Sequence, residues 1–415
     1  MAEETRLGEK RRPRILLIKP VLPYPPDRDT RMLSFRLICA LKDRFDVTVL
    51  SKILSPAETP LAEALEQWCK RVDTVLAPHR RSALHRIAFR MFYFLTSTIA
   101  RQSMKSLYDC PGALLRAAKR LPRENFDLIL IEYWQLQKMA RLFPQAKVVL
   151  LTHDVDMHVN RQVALFERNL ISKIRAVRRW IVEQREEIQA YRAFRKILTL
   201  TERDRQAVRK IAGSQATVEI LPFGLDPEFY ARPGGDRHDR EVLFVGDMGM
   251  AFDRDALDVF VRRICPRIDH LEDLTITVVG GALPKPLAYI SADERVDIIG
   301  KVGDIRPFLY RAGCLVVPLR FGGGLRIRIL EAMFAGLPVI CSSVAVAGMP
   351  FEREQDFLGA ETPEEFAAQI ERLLGDRALA ESLAASALRK VSDSFGAQAQ
   401  AERTEELFKN LINTG

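Results

Sequence analysis

A glycine-rich turn followed by two arginines and a carboxylate is the stretch of this sequence best suited to chemistry. Three glycines at 322–324 precede Arg326, Arg328 and Glu331. Glycines ahead of a helix let backbone N–H groups approach an anion closely, and arginine makes forked contacts with phosphate oxygens. Glu331 would repel a phosphate, but its carboxylate can accept hydrogen bonds from a pair of hydroxyl groups such as those of ribose. The stretch predicts a nucleoside diphosphate site, and a glycine turn with surface arginines is the alternative.

Two further glycine turns, VGDMG at 245–249 and VVGG at 278–281, directly follow apolar runs. A turn that needs a positive φ explains each of them equally well. The sequence contains neither the G-x-G-x-x-G fingerprint of dinucleotide-binding proteins nor the GxxxxGK[ST] motif of P-loop NTPases. These patterns argue against a dehydrogenase and against a P-loop NTPase.

Polar residues in the first half of the chain also follow apolar runs. His153 lies in THDVD at 152–156 and is a candidate ligand contact, with a buried structural histidine as the alternative. The loop PPDRDTR at 25–31 offers Arg28 and Arg31 to a phosphorylated or acidic group. Salt bridges from these arginines to Asp27 and Asp29 are the alternative.

Short apolar runs rich in branched side chains predict buried parallel strands. They lie at 15–20, 47–51, 128–133, 148–154, 197–202, 241–247, 274–281, 296–302, 314–319 and 337–343. Helical stretches separate them, which is the rhythm of a doubly wound sheet. A charged stretch with proline and two glycines, 230–241, predicts an interdomain linker.

Three helical signals complete the pattern. A long charged stretch, 166–196, places one apolar stripe on a helix. The members of that stripe are Leu170, Ile174, Val177, Ile181 and Ile188. Thr362-Pro363-Glu364-Glu365 has the form of a capping box with proline at the first helical position. The segment 396–413 predicts a final amphipathic helix.

The predicted architecture is α/β, with two Rossmann-like doubly wound domains that face each other across a cleft. Residues 1–232 form the first domain, residues 233–395 form the second, and 396–415 form the last helix. Ligands of such sheets bind beyond the carboxyl ends of the strands, at the point where the strand order reverses. The candidate residues above all follow strands, so we expect them to line this cleft.

Composition limits the class of protein. The chain has 415 residues, 47% hydrophobic and 28% charged, which is typical of a globular protein too long for a single core. It has no apolar run of about 18 residues and no secretory signal at its charged N-terminus. The six cysteines lack metal-site spacing, so we expect reduced thiols in a cytoplasmic protein.

The net charge of +9 fits nucleic acid, an anionic membrane surface or a phosphorylated substrate. The segment 79–105 has no acidic residue, and its six lysines and arginines interleave with aromatic and aliphatic side chains. Such a segment suits the headgroup level of a bilayer, and a core-packing helix with a solvated basic face is the alternative. No nucleic-acid recognition motif is present, so nucleic acid is not an expected partner.

Several stretches together resemble one family. The run PLRFGGGLRIRILEAMFAGLPVI at 318–340 resembles the donor-site signature of the retaining GT-B glycosyltransferases, glycosyl transferases group 1 of the family 4 type. PYPPDRDTRMLSF at 23–35 is similar to the first loop of sugar transferases of bacterial exopolysaccharide systems. Four shorter stretches extend the resemblance along most of the chain. They are IEYWQ, THDVD, LTLTERD and ILPFGLD.

The resemblance implies a role for each candidate residue. The catalytic set is His153, Arg326 and Arg328, in which His153 contacts the donor sugar and the arginines stabilise the diphosphate. The donor-binding set is Gly246, Arg320, Gly323, Gly324 and Glu331, with Glu331 on the ribose. The acceptor side is the loop that holds Asp27, Arg28 and Arg31. The last helix is expected to cross back onto the first domain, and no metal or other cofactor is expected.

Two positions depart from the family pattern. Many relatives have two glutamates separated by seven intervening residues, and Gly323 occupies the position of the first one. Phe223 stands where the ILPFGLD stretch usually has asparagine. The first departure leaves the choice of donor sugar open.

The resemblance implies transfer of a sugar from a nucleotide-diphosphate donor to a hydroxyl acceptor with retention, in bacterial surface polysaccharide or glycolipid synthesis. The acceptor would be lipid-linked or a saccharide, and the enzyme cytoplasmic or peripheral on the inner face of the cell membrane. Two alternatives remain open at this point. One is a nucleotide-sugar epimerase of related fold, and the other is a degenerate relative that binds nucleotide sugars without catalysis.

Overall fold

A computed structural model describes most of the chain. The described residues are 11–27, 29–77, 87–88, 91–92, 102–122, 126–144, 147–167, 169–234, 237–269 and 274–413. The segment 79–105, predicted above as a membrane contact, lies mostly outside the described residues, as does Arg28.

The first sheet contains seven parallel strands, as the apolar runs predict for the first half of the chain. Their bounds are β1 Arg14–Lys19, β2 Asp46–Ile53, β3 Arg71–Leu76, β4 Leu128–Glu132, β5 Lys147–Leu151, β6 Lys196–Thr199 and β7 Thr217–Ile220. The strand order is β3-β2-β1-β4-β5-β6-β7. The order reverses between β1 and β4, which places the switch point of this sheet beyond Lys19 and Glu132.

The second sheet contains six parallel strands. Their bounds are β8 His238–Gly246, β9 Thr275–Gly280, β10 Val296–Gly300, β11 Ala312–Val317, β12 Val339–Cys341 and β13 Leu358–Gly359. The order β10-β9-β8-β11-β12-β13 has its switch point between β8 and β11. Gly246 and the glycine turn at 322–324 therefore follow the two strands that border this point. The predicted fold class, two doubly wound α/β domains, is confirmed.

Helices cover both faces of the two sheets. Those of the first half are α1 Asp29–Leu41, α2 Thr59–Leu65, α3 Met104–Asp109, α4 Gly112–Arg120, α5 Asp156–Phe166, α6 Leu170–Ala193, α7 Glu202–Ala212 and α8 Pro227–Tyr230. Those of the second half are α9 Ala251–Val259, α10 Arg306–Arg311, α11 Ile327–Phe334, α12 Pro363–Gly375, α13 Arg377–Phe395 and α14 Ala397–Asn413. The backbone of Glu365 donates to the Thr362 hydroxyl at 3.2 Å, as the capping box predicts for the start of α12.

The strands β3, β7 and β13 escape the sequence pattern because they lie at or near sheet edges. In β3 nearly every residue is only partly buried, so the run RVDTVL contains charges that a central strand excludes. β7 is the opposite edge of the same sheet and is equally polar. β13 is two residues long.

Three of the five members of the apolar stripe assigned to the long helix face solvent, whereas Val177 and Ile188 are partly buried. Leu170, Ile174 and Ile181 are 71%, 62% and 60% exposed. The buried face of α6 instead contains Glu183, Glu187, Ala190 and Tyr191. Hydrogen bonds to Asn160 and to the backbone of Met157 hold the two carboxylates, so polar contacts replace apolar packing on this face.

The last helix, α14, packs against the first half of the chain. Phe408 meets Phe45 edge to face at 6.3 Å, and Lys147 donates to the carbonyl of Ile412. After the second sheet the chain therefore returns to the first α/β unit. The predicted division at residue 232 stays a prediction.

Candidate functional site

The two switch points face each other through a contact between the loop after β5 and the glycine turn after β11. Gly324 has a φ of 72°, and a side chain there would overlap the Asp154 carboxylate and the carbonyl of His153. Only glycine tolerates both this backbone conformation and this close approach. The structure therefore brings together His153 and the glycine turn, which the sequence placed in the same cleft from different halves of the chain.

A buried network of charges lies on the first-domain side. Lys19, at the end of β1, donates to Glu132, at the end of β4, over 2.7 Å, and both side chains have no exposed surface. Lys19 also bonds the Ser34 hydroxyl and, at 2.6 Å, the carbonyl of Thr30. Burial alone would raise the pKa of Glu132, but Lys19 and His153 outweigh it and lower that pKa to about 2. Glu132 is therefore ionised.

His153 joins this network through both ring nitrogens. Its Nε2 lies 3.1 Å from Glu132 and its Nδ1 lies 3.2 Å from the hydroxyl of Tyr133. Since Glu132 is ionised, Nε2 carries the proton and donates, and Tyr133 donates to Nδ1. The Tyr133 ring also stacks on the imidazole, with 4.4 Å between the ring centroids. The backbone of Tyr133 has a positive φ of 74°. Burial lowers the pKa of His153, which keeps the ring neutral at pH 7.

Arg326 is the arginine closest to the glycine turn. Its guanidinium lies against Gly322 and over the Phe252 ring, 4.4 Å from the centroid, and the residue is 5% exposed. Two carboxylates of the first domain, Asp154 and Asp204, are near enough for this charge to act on them. The turn thus holds a positive charge that already attracts oxygen anions across the cleft.

Asp154, which faces this charge, has an unusually high pKa for an aspartate. Burial raises its pKa to about 6, and Asp156 and Asp204 act in the same direction against Arg326. Burial likewise raises the pKa of Asp204, whose carboxylate is near the backbone N–H of Gly324. A negatively charged ligand at the turn would add to the repulsion that both carboxylates already experience.

Arg328 points away from the turn toward the start of α9. It pairs with Asp253 through two hydrogen bonds of 2.8 and 3.0 Å, and its Nη1 also donates to the carbonyl of Val245. Asp253 has no exposed side-chain surface and accepts a third bond, from the backbone of Asp247 at 2.8 Å. The pair fixes the turn after β8, and the predicted contact of Arg328 with a diphosphate stays a prediction.

Arg320 also pairs with α9, through Asp255. Its Nε lies 2.8 Å from that carboxylate, and its guanidinium covers the Phe166 ring at 4.7 Å. Phe166, the last residue of α5, stacks in turn on Phe321 at 5.2 Å. Arg320 therefore links the donor-side turn to the first domain rather than lying at the glycines.

Gly246 lines the base of the second switch point. A side chain on Gly280, the last residue of β9, would overlap the carbonyl oxygen of Gly246. The ends of β8 and β9 thus approach more closely than any larger residue at 280 allows. Gly246 itself is crowded, since a side chain there would come within 2.9 Å of Phe244 and 3.1 Å of Met248.

Glu331 lies in the middle of α11 and accepts a 2.8 Å hydrogen bond from Tyr230, the last residue of α8. Tyr230 is 1% exposed, so its hydroxyl is a fixed donor. One carboxylate oxygen of Glu331 is oriented by this bond, and the residue is partly exposed. A carboxylate held in this way suits the acceptance of hydroxyl hydrogen bonds.

The predicted acceptor loop contacts the second domain. Asp27 pairs with Lys301 at 2.5 Å and with Arg31 at 3.4 Å, and Arg31 also approaches Glu58 at 3.7 Å. The salt bridge between Asp27 and Arg31, weighed as an alternative for this loop, is therefore present. Arg28 lies outside the described residues.

Several residues of the site were missed, although the sequence carried a signal for some of them. Lys19 and Glu132 are charges at the ends of otherwise apolar runs, ILLIK and LILIE, where a buried strand ordinarily has none. Asp253 and Asp255 gave no signal beyond their Asp-x-Asp spacing. In the structure each of them bonds an arginine, so that spacing here serves ion pairs.

Comparisons with known proteins agree with this geometry. Residues 239–376, about a third of the chain, match the sequence profile of the family described as Glycosyl transferases group 1. That segment contains β8 to β13 and with them every predicted donor-binding residue. No curated protein sequence matches the chain.

Solved structures match over nearly the whole length. Sucrose-phosphate synthase from Thermosynechococcus elongatus has a TM-score of 0.71 at 17% identity, covering 97% of this chain and 100% of that one. Anabaena Alr3699/HepE in complex with UDP and glucose has a TM-score of 0.65 at 15% identity, covering 96% and 99%. A variant of S. aureus TarM in complex with Fondaparinux, alpha-GlcNAc-glycerol and UDP has a TM-score of 0.67 at 11% identity, covering 97% and 100%. The fold is GT-B.

Proposed function

We propose that the protein is a retaining glycosyltransferase that moves a sugar from a nucleoside diphosphate donor to a hydroxyl group. The observation that carries this proposal is the glycine turn at 322–324, which lies at the switch point of the second sheet with Arg326 beside it and the His153 loop opposite. The match of residues 239–376 to glycosyl transferases group 1 supports it. HepE and TarM, which share the fold, are described in complex with UDP.

The donor would bind mainly to the second domain. The diphosphate lies at the glycine turn, where Arg326 and backbone N–H groups oppose its charge. The ribose hydroxyls reach the carboxylate of Glu331, whose second oxygen Tyr230 holds. Arg328 acts through its bonds with Asp253 and Val245, which keep the Gly246 turn in place beneath the nucleotide.

The reaction would break the bond between the anomeric carbon and a diphosphate oxygen, and form a bond between that carbon and the acceptor oxygen on the same face. The acceptor proton passes to the departing phosphate oxygen, which balances the charge without a protein base. His153 fits this scheme as a positioning group, because Glu132 and Tyr133 occupy both ring nitrogens. Arg326 stabilises the negative charge that develops on the leaving diphosphate.

The acceptor would enter from the first-domain side, beside the loop at Asp27 and Arg31. The acceptor would be lipid-linked or a saccharide in surface polysaccharide or glycolipid synthesis, and the TarM variant is described with saccharide ligands. All six cysteines are free thiols, which supports a cytoplasmic location. No helix among the described residues is long and apolar enough to cross a membrane.

The decisive experiment incubates the protein with a panel of nucleoside diphosphate sugars and candidate saccharide acceptors. We expect release of free nucleoside diphosphate that requires acceptor, and a product whose anomeric proton coupling matches that of the donor. An interconverted nucleotide sugar formed without acceptor would instead identify an epimerase. Chelator should leave the rate unchanged, since Arg326 supplies the charge, and a rate restored only by Mg²⁺ or Mn²⁺ would reject this mechanism.

A further inference from the structure

An exposed apolar face runs along the end of α5 and the first half of α6, outside the cleft. Its side chains are 41–71% exposed, and among the described residues only the short stretch with Ile87, Met91 and Phe92 groups exposed large apolar side chains in a similar way. The members of this surface, here called the α5–α6 face, are Leu165, Phe166, Leu170, Ile171, Ile174 and Ile181. Six large exposed apolar side chains on two consecutive helices are typical of a surface that binds a membrane or another protein.

The same stretch of α6 is strongly basic. From residue 170 to residue 182 it contains no acidic residue and four cations. They are Lys173, Arg175, Arg178 and Arg179, of which Arg179 pairs with Glu183 at 3.1 Å. At 100° per residue, Leu170, Ile174 and Ile181 share one line on the helix, and Arg175 and Arg178 lie on its exposed flank. The face therefore combines aliphatic depth with positive charge.

The exposed apolar side chains of α6 do not hold this helix against the rest of the protein. On its opposite side α6 is held by polar contacts, in which Asn160 donates to Glu183 at 2.8 Å and Tyr191 donates to Glu187 at 2.7 Å. The apolar residues make no part of this packing, since more than half of each side chain on the helix is exposed. The outer face of α6 is thus free for an interaction.

We propose that the α5–α6 face docks on an anionic lipid bilayer. Aliphatic side chains enter the boundary between headgroups and acyl chains while arginines and lysine pair with lipid phosphates. A second copy of the chain would bring two sets of four cations together, which disfavours a self-association through this face. Nucleic acid would satisfy the cations but would leave the isoleucines and leucines in water.

The α5–α6 face lies close to the proposed active site. Phe166 belongs to it and also stacks on Phe321, directly before the glycine turn, so the face borders the mouth of the cleft. A bilayer at this surface would present a lipid-linked acceptor to the first-domain side of the site. This consequence rests on the proposed function, but the docking itself does not.

The test is flotation with vesicles of phosphatidylcholine, with and without phosphatidylglycerol, at low and high salt. We expect the intact protein to float with the anionic vesicles only and to be released by salt. Ile174→Ser with Ile181→Ser, and separately Arg175→Glu with Arg178→Glu, should each lower the partition coefficient at least about tenfold. The matched control, Leu388→Ser with Arg389→Glu on the exposed face of α13, should float like the unaltered protein.

Three results would overturn the proposal. The first is the same flotation for the unaltered protein and both α6 variants, and the second is failure of the unaltered protein to float with anionic vesicles. The third is concentration-dependent dimerisation in light scattering that the isoleucine variant abolishes, which would make a second copy the occupant. Because the substituted side chains are exposed, thermal melting should confirm that all variants are folded. Flotation needs no turnover, so its failure is distinguishable from failure of the proposed transferase activity.

Discussion

The two sides of the cleft use charge in different ways. On the first-domain side, Lys19 and His153 both bond Glu132 in a network with almost no exposed surface. On the second-domain side, Arg320 and Arg328 each pair with an aspartate of α9, and Arg320 remains a third exposed. The first side uses its charges to fix strand ends. On the second side Arg326 lies beside the glycine turn, where a ligand would arrive, and the pairs of Arg320 and Arg328 support the neighbouring backbone.

This difference separates positioning from binding. Charges that are fully buried and mutually paired cannot neutralise a ligand, but they hold the backbone at His153 and Asp154 against the glycine turn. Arg320, which one carboxylate anchors and which is a third exposed, can also contact a second anion, whereas Arg328 is buried in its pair with Asp253. Loss of the first network should therefore reduce stability before affinity, whereas changes on the second side should reduce donor binding.

The largest effect is expected from Lys19→Met, which leaves Glu132 as a buried charge without its cation. Removal of one partner of a buried ion pair costs about 3–5 kcal/mol. We expect the free energy of unfolding, measured with urea, to fall by about this amount. The matched control is Lys70→Met, which breaks the exposed pair with Asp46 and should cost less than about 1 kcal/mol. Equal losses in the two variants would show that the Lys19 network is not buried as described.

The second effect distinguishes the two arginines paired with α9. Arg328→Ala should lower both turnover, at least tenfold, and stability, because it leaves buried Asp253 unpaired. Arg320→Ala should change stability by about 1 kcal/mol or less, since its pair with Asp255 is partly exposed. Steady-state kinetics and urea denaturation of both variants test this contrast. Turnover of Arg328→Ala near that of the unaltered protein would remove Arg328 from the functional set.

The third effect concerns the carboxylate predicted to hold the ribose. Glu331→Gln should weaken nucleotide binding about tenfold, which corresponds to about 1.4 kcal/mol. Tyr230→Phe removes only the hydrogen bond that orients Glu331 and should weaken binding less, by about 1 kcal/mol or below. Calorimetric titration with a nucleoside diphosphate compares the two variants. The titration is repeated with the 2′-deoxynucleotide. If each protein, unaltered and Glu331→Gln, binds the 2′-deoxynucleotide with the same affinity as the ribonucleotide, the role of Glu331 is contradicted.

The smallest effect is a pH dependence at the contact between the two sides. Because burial raises the pKa of Asp154 to about 6, the folded protein holds this proton more tightly than the unfolded chain. The stability that follows is present below the ordinary carboxyl pKa and is lost as pH rises through about 6. Asp154→Asn should therefore gain about 1 kcal/mol relative to the unaltered protein between pH 4.5 and pH 7.5, less than the full shift implies because Asp154 is partly exposed. Urea denaturation at both pH values measures the difference in the free energy of unfolding between the variant and the unaltered protein. If this difference is the same at both pH values, the pKa of Asp154 is not raised by burial.

The central strands and the cleft were predictable from the sequence, while side-chain partners were not. Runs such as ILLIK predict buried strands from composition alone. In a parallel sheet the carboxyl ends of these strands lie along the same edge, which predicts the cleft. Nothing local shows that Arg328 bonds Asp253, because the two residues lie 75 positions apart and meet only once β8 and β11 pair. The edge strands β3 and β7 were not predicted, because a half-exposed strand contains polar residues and lacks a continuous apolar run.

The long helix shows where periodicity misleads. The stripe through Leu170, Ile174 and Ile181 has the spacing of a core-facing helix, yet it faces outward. Periodicity reports that one face is apolar, but it does not report what that face meets. Buried carboxylates such as Glu187, satisfied by Tyr191, are invisible to a hydrophobic pattern and decide the orientation here.

The central claim is that the glycine turn and Arg326 bind the diphosphate of a nucleotide. Calorimetric titration of the unaltered protein and Arg326→Ala with nucleoside diphosphates, and with the corresponding nucleosides, tests it most directly. We expect at least one nucleoside diphosphate to bind the unaltered protein at least tenfold more tightly than Arg326→Ala, and the nucleoside to show no such difference. Equal affinity of a folded Arg326→Ala variant for the diphosphate, or no binding of any nucleoside diphosphate to the unaltered protein, would contradict it.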